Sequence, residues 1–134
     1  MPEVSTYDPK KVTVSIGGRV ITGFAADGVV TLTHNEDAVT PSVGAKGDVA
    51  YSENANNSGN AALPLMSTSS SLAYLREICA KRRPVRFSVS DVNDADAIQV
   101  SEENCRILKM PDTPRSKDPT TVTVNVYIPD LNYR

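Results

Sequence analysis

The sequence predicts a mainly β fold: a sandwich or open barrel of short strands, one flanking α-helix and a long extended hairpin arm. Three observations carry that expectation. Apolar and polar residues alternate at Val12, Val14 and Ile16, and again at Val122, Val124, Val126 and Ile128, the period-two mark of half-buried strands. Gly17-Gly18 stands between two strand patterns, where a tight primed turn needs positive φ at both central residues. A single stretch, Leu72, Leu75, Ile78 and Cys79, repeats at helical spacing instead. At 134 residues the chain is long enough for one domain with its own core, so 1–134 reads as a single domain.

In chain order, the first strand, 11–16, turns through Gly17-Gly18 into Arg19-Val20-Ile21-Thr22. Asp27-Gly28 marks a second turn, followed by a strand over Val29–His34 with Val30 and Leu32 on its apolar face. Gly47–Glu53 and Gly59–Met66 are strand-like, and the Asn-rich run Asn54–Ser58 between them predicts that they pair as one long hairpin. Pro64 donates no ladder hydrogen bond and is expected at an edge or a bulge. A helix is predicted over 69–83: Ser and Thr at 67–71 offer N-caps, Lys81-Arg82-Arg83 suits the negative end of the dipole, and Pro84 ends it. Val85–Ser90 is a strand, Asp91–Asp96 a turn, and residues 97–110 hold a strand expected near Cys105–Met110. Residues 111–119 form a Pro-rich charged loop before the last strand, 121–128.

Composition narrows the function. With 40% hydrophobic residues but only seven aromatics and no Trp, the core must be built of Val, Leu and Ile. A formal net charge of −2 and a pI of 5.3 argue against tight binding of a nucleic-acid backbone, though not against its loose passage. Cys79 and Cys105 lack metal-motif spacing and the chain has one histidine, so the cysteines read as reduced thiols or as one disulfide. The N-terminal residues carry no signal-like apolar core and no apolar run is long enough to span a bilayer. A soluble protein made in the cytoplasm, without stable membrane insertion, is expected.

No enzymatic motif emerges, and no catalytic, cofactor or metal residue is assigned. His34 lies beside Glu36 and Asp37 but has no nucleophile or metal partner at recognisable spacing. Asp91, Asp94 and Asp96 start like a calcium loop, but the required Gly and distal Glu are missing, so a solvated turn is expected. Lys81-Arg82-Arg83 could take a phosphate or an acidic partner, yet its place complements a helix end. Gly44-Ala45-Lys46-Gly47 lacks phosphate-loop spacing, and Asn54–Ser58 has no aromatic on which a base could stack.

The segment 35–67 is the most informative. It is long, polar and rich in Gly, Asn and Ser, yet carries Val43, Val49 and Tyr51 at strand spacing with few local partners. Long loops within small domains are uncommon and are usually functional or disordered. Residues 41–62 are therefore expected to be an extended arm, unordered when free, that orders by pairing with another copy of the chain. Its joint is expected at Asp37, Val43, Gly44, Lys46, Gly47, Val49, Tyr51, Asn56 and Asn57.

The order of several short motifs resembles the tail tube proteins of contractile-tailed bacteriophages. The resemblance runs from about Tyr7 to Leu75, through TYDPKKVTVSIGGRVITGF and HNEDAVTPSVGAKGDVAYSENANNSGNAALPLMSTSSSLAYL. It includes the Ile-Gly-Gly turn, Asn35-Glu36-Asp37, Gly44 to Gly47, the Asn-rich turn before Gly59, and Leu65-Met66 ahead of the Ser-rich helix start. Such proteins imply a tail-tube-like β-sandwich in hexameric rings stacked inside a contractile sheath, part of a virion and a conduit for DNA. The implied partners are the chain itself, the sheath, baseplate and tail terminator proteins, and DNA passing non-specifically. Arg76, Glu77, Lys81, Arg82 and Arg83 on the helix become candidates to face the sheath. A tail terminator or baseplate hub ring of the same fold is the nearest alternative. A carbohydrate-binding sandwich is the other, poorly served by seven aromatics and no Trp.

Overall fold

The computed structural model describes residues 8–26, 28–93, 98–111, 117 and 120–133. The start of the resemblance at Tyr7, Asp27 of the expected Asp-Gly turn, Asp94 and Asp96 of the acidic run, and most of the loop at 111–119 lie outside the described residues.

After a 3-10 turn at Pro9–Lys11 come β1 (Val12–Ile16), β2 (Arg19–Val20), β3 (Thr31–His34), β4 (Val39–Val43), β5 (Val49–Glu53) and β6 (Gly59–Met66). The helix α1 (Ser71–Lys81) follows, then β7 (Val85–Asp91), β8 (Gln99–Cys105) and β9 (Thr121–Ile128). Four strands form one antiparallel sheet in the order β2-β1-β7-β8, three form a second in the order β3-β6-β9, and β4-β5 stands apart as a two-stranded hairpin. The two larger sheets share one core. Val14, Ile16, Phe87, Val89 and Val100 face Leu63, Leu65, Val122, Val124, Val126 and Ile128, all essentially without solvent exposure. Arg106 and Tyr127 exchange both backbone bonds, 3.1 and 2.7 Å, and so join the sheets at one corner. The result is a sandwich closed on one side, a half-open barrel.

The expected turn at Gly17-Gly18 is present, with φ of 61° and 85°, values that glycine adopts without Cβ strain. Helix α1 closes one end of the sandwich through Leu72, Leu75 and Ile78. Tyr74 anchors it by donating its hydroxyl to the Ile16 carbonyl at 2.9 Å, while the Arg19 guanidinium lies over the Tyr74 ring at 4.9 Å.

Four expectations need correction. The helix is shorter than 69–83. Ser69 stays in the preceding turn, where its Oγ accepts from Ser71 N and donates to the Thr22 carbonyl. At the other end Arg82 takes a left-handed conformation, φ 53°, that ends the helix after Lys81. The strand expected near Cys105–Met110 lies earlier, at Gln99–Cys105. Its pairing with β7 slips between Val85 and Phe87, and the bulged Asn104 has φ 63°.

Third, Gly47–Glu53 and Gly59–Met66 do not pair with each other: β5 pairs with β4, and β6 with β3 and β9. The arm is therefore 39–53, paired as a hairpin with itself, and the Asn-rich run leads back into the body. Fourth, Pro64 sits on a central strand in unbroken register with β9. Its carbonyl accepts from Ala25 N at 2.8 Å. In an antiparallel strand a residue's N and C=O point to the same edge, so the ring nitrogen faces away from β9 and no bond of that ladder is lost.

Candidate assembly surfaces

The arm begins at a cluster of amides. Asn54 N donates to the Ala38 carbonyl at 2.8 Å, Asn54 Nδ2 to the Asp37 carbonyl at 3.0 Å, and Asn56 Nδ2 to the Glu36 carboxylate. Asn35 is bound to Ser58 by both its backbone and its side chain. Asn57 turns the other way, toward the final residues, where its Nδ2 reaches Asp130 Oδ1, the Leu131 carbonyl and Asn132 Oδ1 at 2.8–3.1 Å. The amide side chains of Asn56 and Asn57, expected at the joint between copies, are thus both engaged within the chain.

From this base β4 and β5 run out to a tip at Gly44–Asp48, closed by Gly44 N to the Asp48 carbonyl at 2.7 Å. Every residue from 39 to 53 is exposed. The register places Val39, Pro41, Val43, Val49 and Tyr51 on one face, with Glu53 at its base, and Thr40, Ser42, Ala50 and Ser52 on the other. Val43, Val49 and Tyr51 are 70%, 50% and 71% exposed. They form a cluster of apolar side chains held in water on a paired hairpin. Asp37, Gly44, Lys46 and Gly47 lie exposed at its base and tip.

The arm's two edges differ. Backbone bonds at Gly44–Asp48 and Ala38–Asn54 fix the even-numbered residues as those that join the strands. Pro41 therefore turns its nitrogen to the outer edge of β4, which loses a donor there. Val49, Tyr51 and Glu53 present their backbone groups along the outer edge of β5.

A groove of about 600 Å3 runs beside β9, between Thr121, Thr123, Asn125 and Tyr127 on one side and Leu108, Lys109, Met110 and Pro111 on the other. Because Tyr127 turns its backbone groups to Arg106, the alternate residues Thr121, Thr123 and Asn125 turn theirs to this groove and take no part in the ladder with β6. A second groove on the far side of the 106–110 segment is lined by Cys79, Arg82 and Arg106 together with Leu108 and Met110.

The outer face of the β3-β6-β9 sheet is without charge. Its cross-strand rows are Thr33–Asn60–Tyr127, Thr31–Ala62–Asn125, Pro64–Thr123 and Met66–Thr121. Single alternating strands suggested such polar faces, but the absence of charge across the sheet emerges only from the register.

The basic end of α1 is partly as expected. Glu77 and Lys81 are exposed and paired at 2.8 Å, and the bond from Lys81 lowers the Glu77 carboxyl from its usual value. Arg82 and Arg83 are exposed, and the Arg82 carbonyl accepts from Arg106 Nη2 at 2.8 Å. Arg76 is different: its Nε and Nη2 are shielded from water and have no hydrogen-bond partner among the described residues, so it is not a freely exposed cation. Cys79 and Cys105 are free thiols. Burial, with the nearby Glu102 charge adding to it, pushes the Cys105 thiol up to about 11. His34 Nε2 donates to the Leu131 carbonyl, 3.1 Å away, and the ring tilts against that of Tyr133. Among the described residues no cluster of His, Cys, Asp or Glu could hold a metal ion, and no helix is long and apolar enough to cross a membrane.

No protein-family model and no curated protein matches the chain. Solved structures do. A chain of the PVC sheath-tube complex, an extracellular contractile injection system seen by cryo-EM in its extended state, superposes with a TM-score of 0.56 at 12% identity, over 92% of this chain and 88% of that one. A chain of the PVC sheath/tube terminator, also extended, gives 0.53 at 11% identity, over 100% and 98%. A chain of the anti-feeding prophage cap, which terminates the AFP tube, gives 0.52 at 8%, over 99% and 95%. The mainly β fold with one helix is the fold of these contractile tail components.

Proposed function

We propose that the chain is a structural subunit of a contractile tail, building the tube by association with its own copies. The observation that carries this reading is the arm: a paired hairpin whose apolar face has no partner among the described residues, on a fold shared with tube and terminator assemblies. A heterologous contact between copies closes into a ring when its rotation allows, and hexameric rings stacked inside a sheath would form the conduit. The work is mechanical, with no catalytic residue.

In this arrangement the uncharged face of β3-β6-β9 lines the channel. A polyanion such as DNA slides past such a wall without the counterion release that would hold it to Lys and Arg. An added ring of arginines at Thr33, on this face, should slow ejection of DNA; unchanged kinetics would reject the placement. The exposed charges Glu77, Lys81, Arg82 and Arg83 face the sheath, and reversing Arg82 and Arg83 should weaken sheath attachment while rings persist. Normal sheath assembly on that variant would rule this out.

A tail-terminating ring is the second reading, favoured by the likeness to both a terminator chain and a tube-terminating cap. Negative-stain microscopy of the purified protein with a mass measurement separates the two. Long tubes support the tube subunit, isolated rings the terminator, and a chain that stays single at high concentration rejects both.

A further inference from the structure

The self-assembly reading leaves open where the arm goes. We infer that the arm of one copy docks along the open edge of β9 in the next, its β5 edge extending the β3-β6-β9 sheet and its apolar face covering Leu108 and Met110. The inference rests on self-assembly and specifies its joint.

The backbone supplies the first match. Val49, Tyr51 and Glu53 offer their N–H and C=O groups on the outer edge of β5, while Thr121, Thr123 and Asn125 offer theirs on the open edge of β9. Both sets recur every second residue over the same length, as strand addition requires. The other edge of the arm is blunted by Pro41, so only one of its two edges suits this pairing.

Side chains supply the second. Val43, Val49 and Tyr51 are exposed on the arm, and Leu108, 69% exposed, and Met110 rim the groove. Each set is an apolar surface held in water, and a hairpin laid in the groove removes both at once.

Charge supplies the third. The arm and its base carry Glu36, Asp37, Asp48 and Glu53 against Lys46 alone. The walls of the two grooves flanking residues 106–110 carry Lys109, Arg106 and Arg82 and, among the described residues, no carboxylate. Opposite fields steer the two together and disfavour arm-to-arm and groove-to-groove contacts.

The test uses two variants of the whole chain. An arm variant carries Val43→Asp and Tyr51→Asp; a groove variant carries Leu108→Asp and Met110→Asp, all at exposed positions. Each alone should need at least ten times the wild-type concentration to assemble. Mixed, with one partner isotope-labelled, they should give a mixed dimer by native mass spectrometry, because the groove variant's intact arm still fits the arm variant's intact groove. That dimer should not grow further.

A groove variant that assembles like wild type overturns this docking and leaves self-assembly standing. So does a mixture that yields no mixed dimer. A wild-type chain that never associates overturns self-assembly itself. Should the groove variant lose its fold by circular dichroism, Lys109→Glu replaces it. Association should then weaken at least threefold and recover when Glu53→Lys is added, and no change on Lys109→Glu counts against the docking.

Discussion

Asn57 and Leu131 hold each other twice: Leu131 N donates to the Asn57 carbonyl at 2.9 Å, and Asn57 Nδ2 donates to the Leu131 carbonyl at 3.0 Å. The same amide reaches Asp130 and Asn132, so one side chain ties the root of the arm to the residues after β9. Asn57→Ala removes three acceptor contacts at once. At roughly 0.5–1.5 kcal/mol for each net hydrogen bond, urea denaturation should show a loss of about 2 kcal/mol. Wild-type stability in this variant would mean that the contacts are replaced by water at no cost.

Gly59 sits under the same residue. A Cβ there would lie 2.5 Å from Leu131 Cδ2 and 2.8 Å from the Thr33 carbonyl oxygen, the latter fixed in the β3 ladder. Gly59→Ala should therefore destabilise by about 1–3 kcal/mol, the range for overpacking a tight site, with a matching fall in melting temperature. Unaltered melting would show that β3 can yield.

Arg76 should be dispensable or worse for the isolated chain. Shielding Nε and Nη2 without a partner opposes folding, and a methionine of similar length keeps the packing without the charge. Arg76→Met should raise stability by about 1 kcal/mol in chemical denaturation. A loss of stability would mean that the guanidinium is held by something other than its aliphatic stem.

The Cys105 thiol titrates at about 11 in the folded chain against an ordinary value of 9.0. Its raised value means that the folded state keeps a proton that the unfolded chain releases. Stability from this group is complete below pH 9 and falls between pH 9 and 11. A Cys105→Ala variant should be less stable overall and should show a shallower decline across that window; equal slopes would remove Cys105 from the account. A thiol reagent at pH 8 should modify the half-buried Cys79 well before Cys105.

Polar replacements on the arm should separate folding from association. Val43 and Tyr51 are exposed and stand outside the core cluster, so Val43→Thr with Tyr51→Thr should shift monomer stability by no more than about 0.5 kcal/mol, as usual for exposed sites. Light scattering should nevertheless show impaired assembly. A large stability change would place these side chains in the monomer's own packing.

Local patterns were legible and long-range ones were not. The turn at Gly17-Gly18 and the alternation of β9 are written in consecutive residues, and both stand as expected. The arm was recognisable from apolar residues without neighbours, but its partner strand was not. Gly47–Glu53 alternates equally well against either flank, and Pro41 interrupts the alternation of β4. Strand β8 was missed because Glu102 and Glu103 interrupt its apolar alternation and the bulge at Asn104 shifts its phase. The uncharged sheet face needed Asn60, Ala62 and Pro64 to be set beside β9, which only the register does. The groove is not visible in the sequence because Leu108 and Met110 continue an apolar pattern past the end of β8 at Cys105.

The Pro41 side of the arm has a consequence for any polymer built this way. If one edge of the hairpin is adhesive and the other is not, every junction points in the same direction along the chain of copies. Such a polymer has two unlike termini, one bristling with empty-handed arms and the other with vacant grooves. A stopper shaped for the first would find nothing to grip at the second, so starting and finishing the assembly would fall to two different proteins.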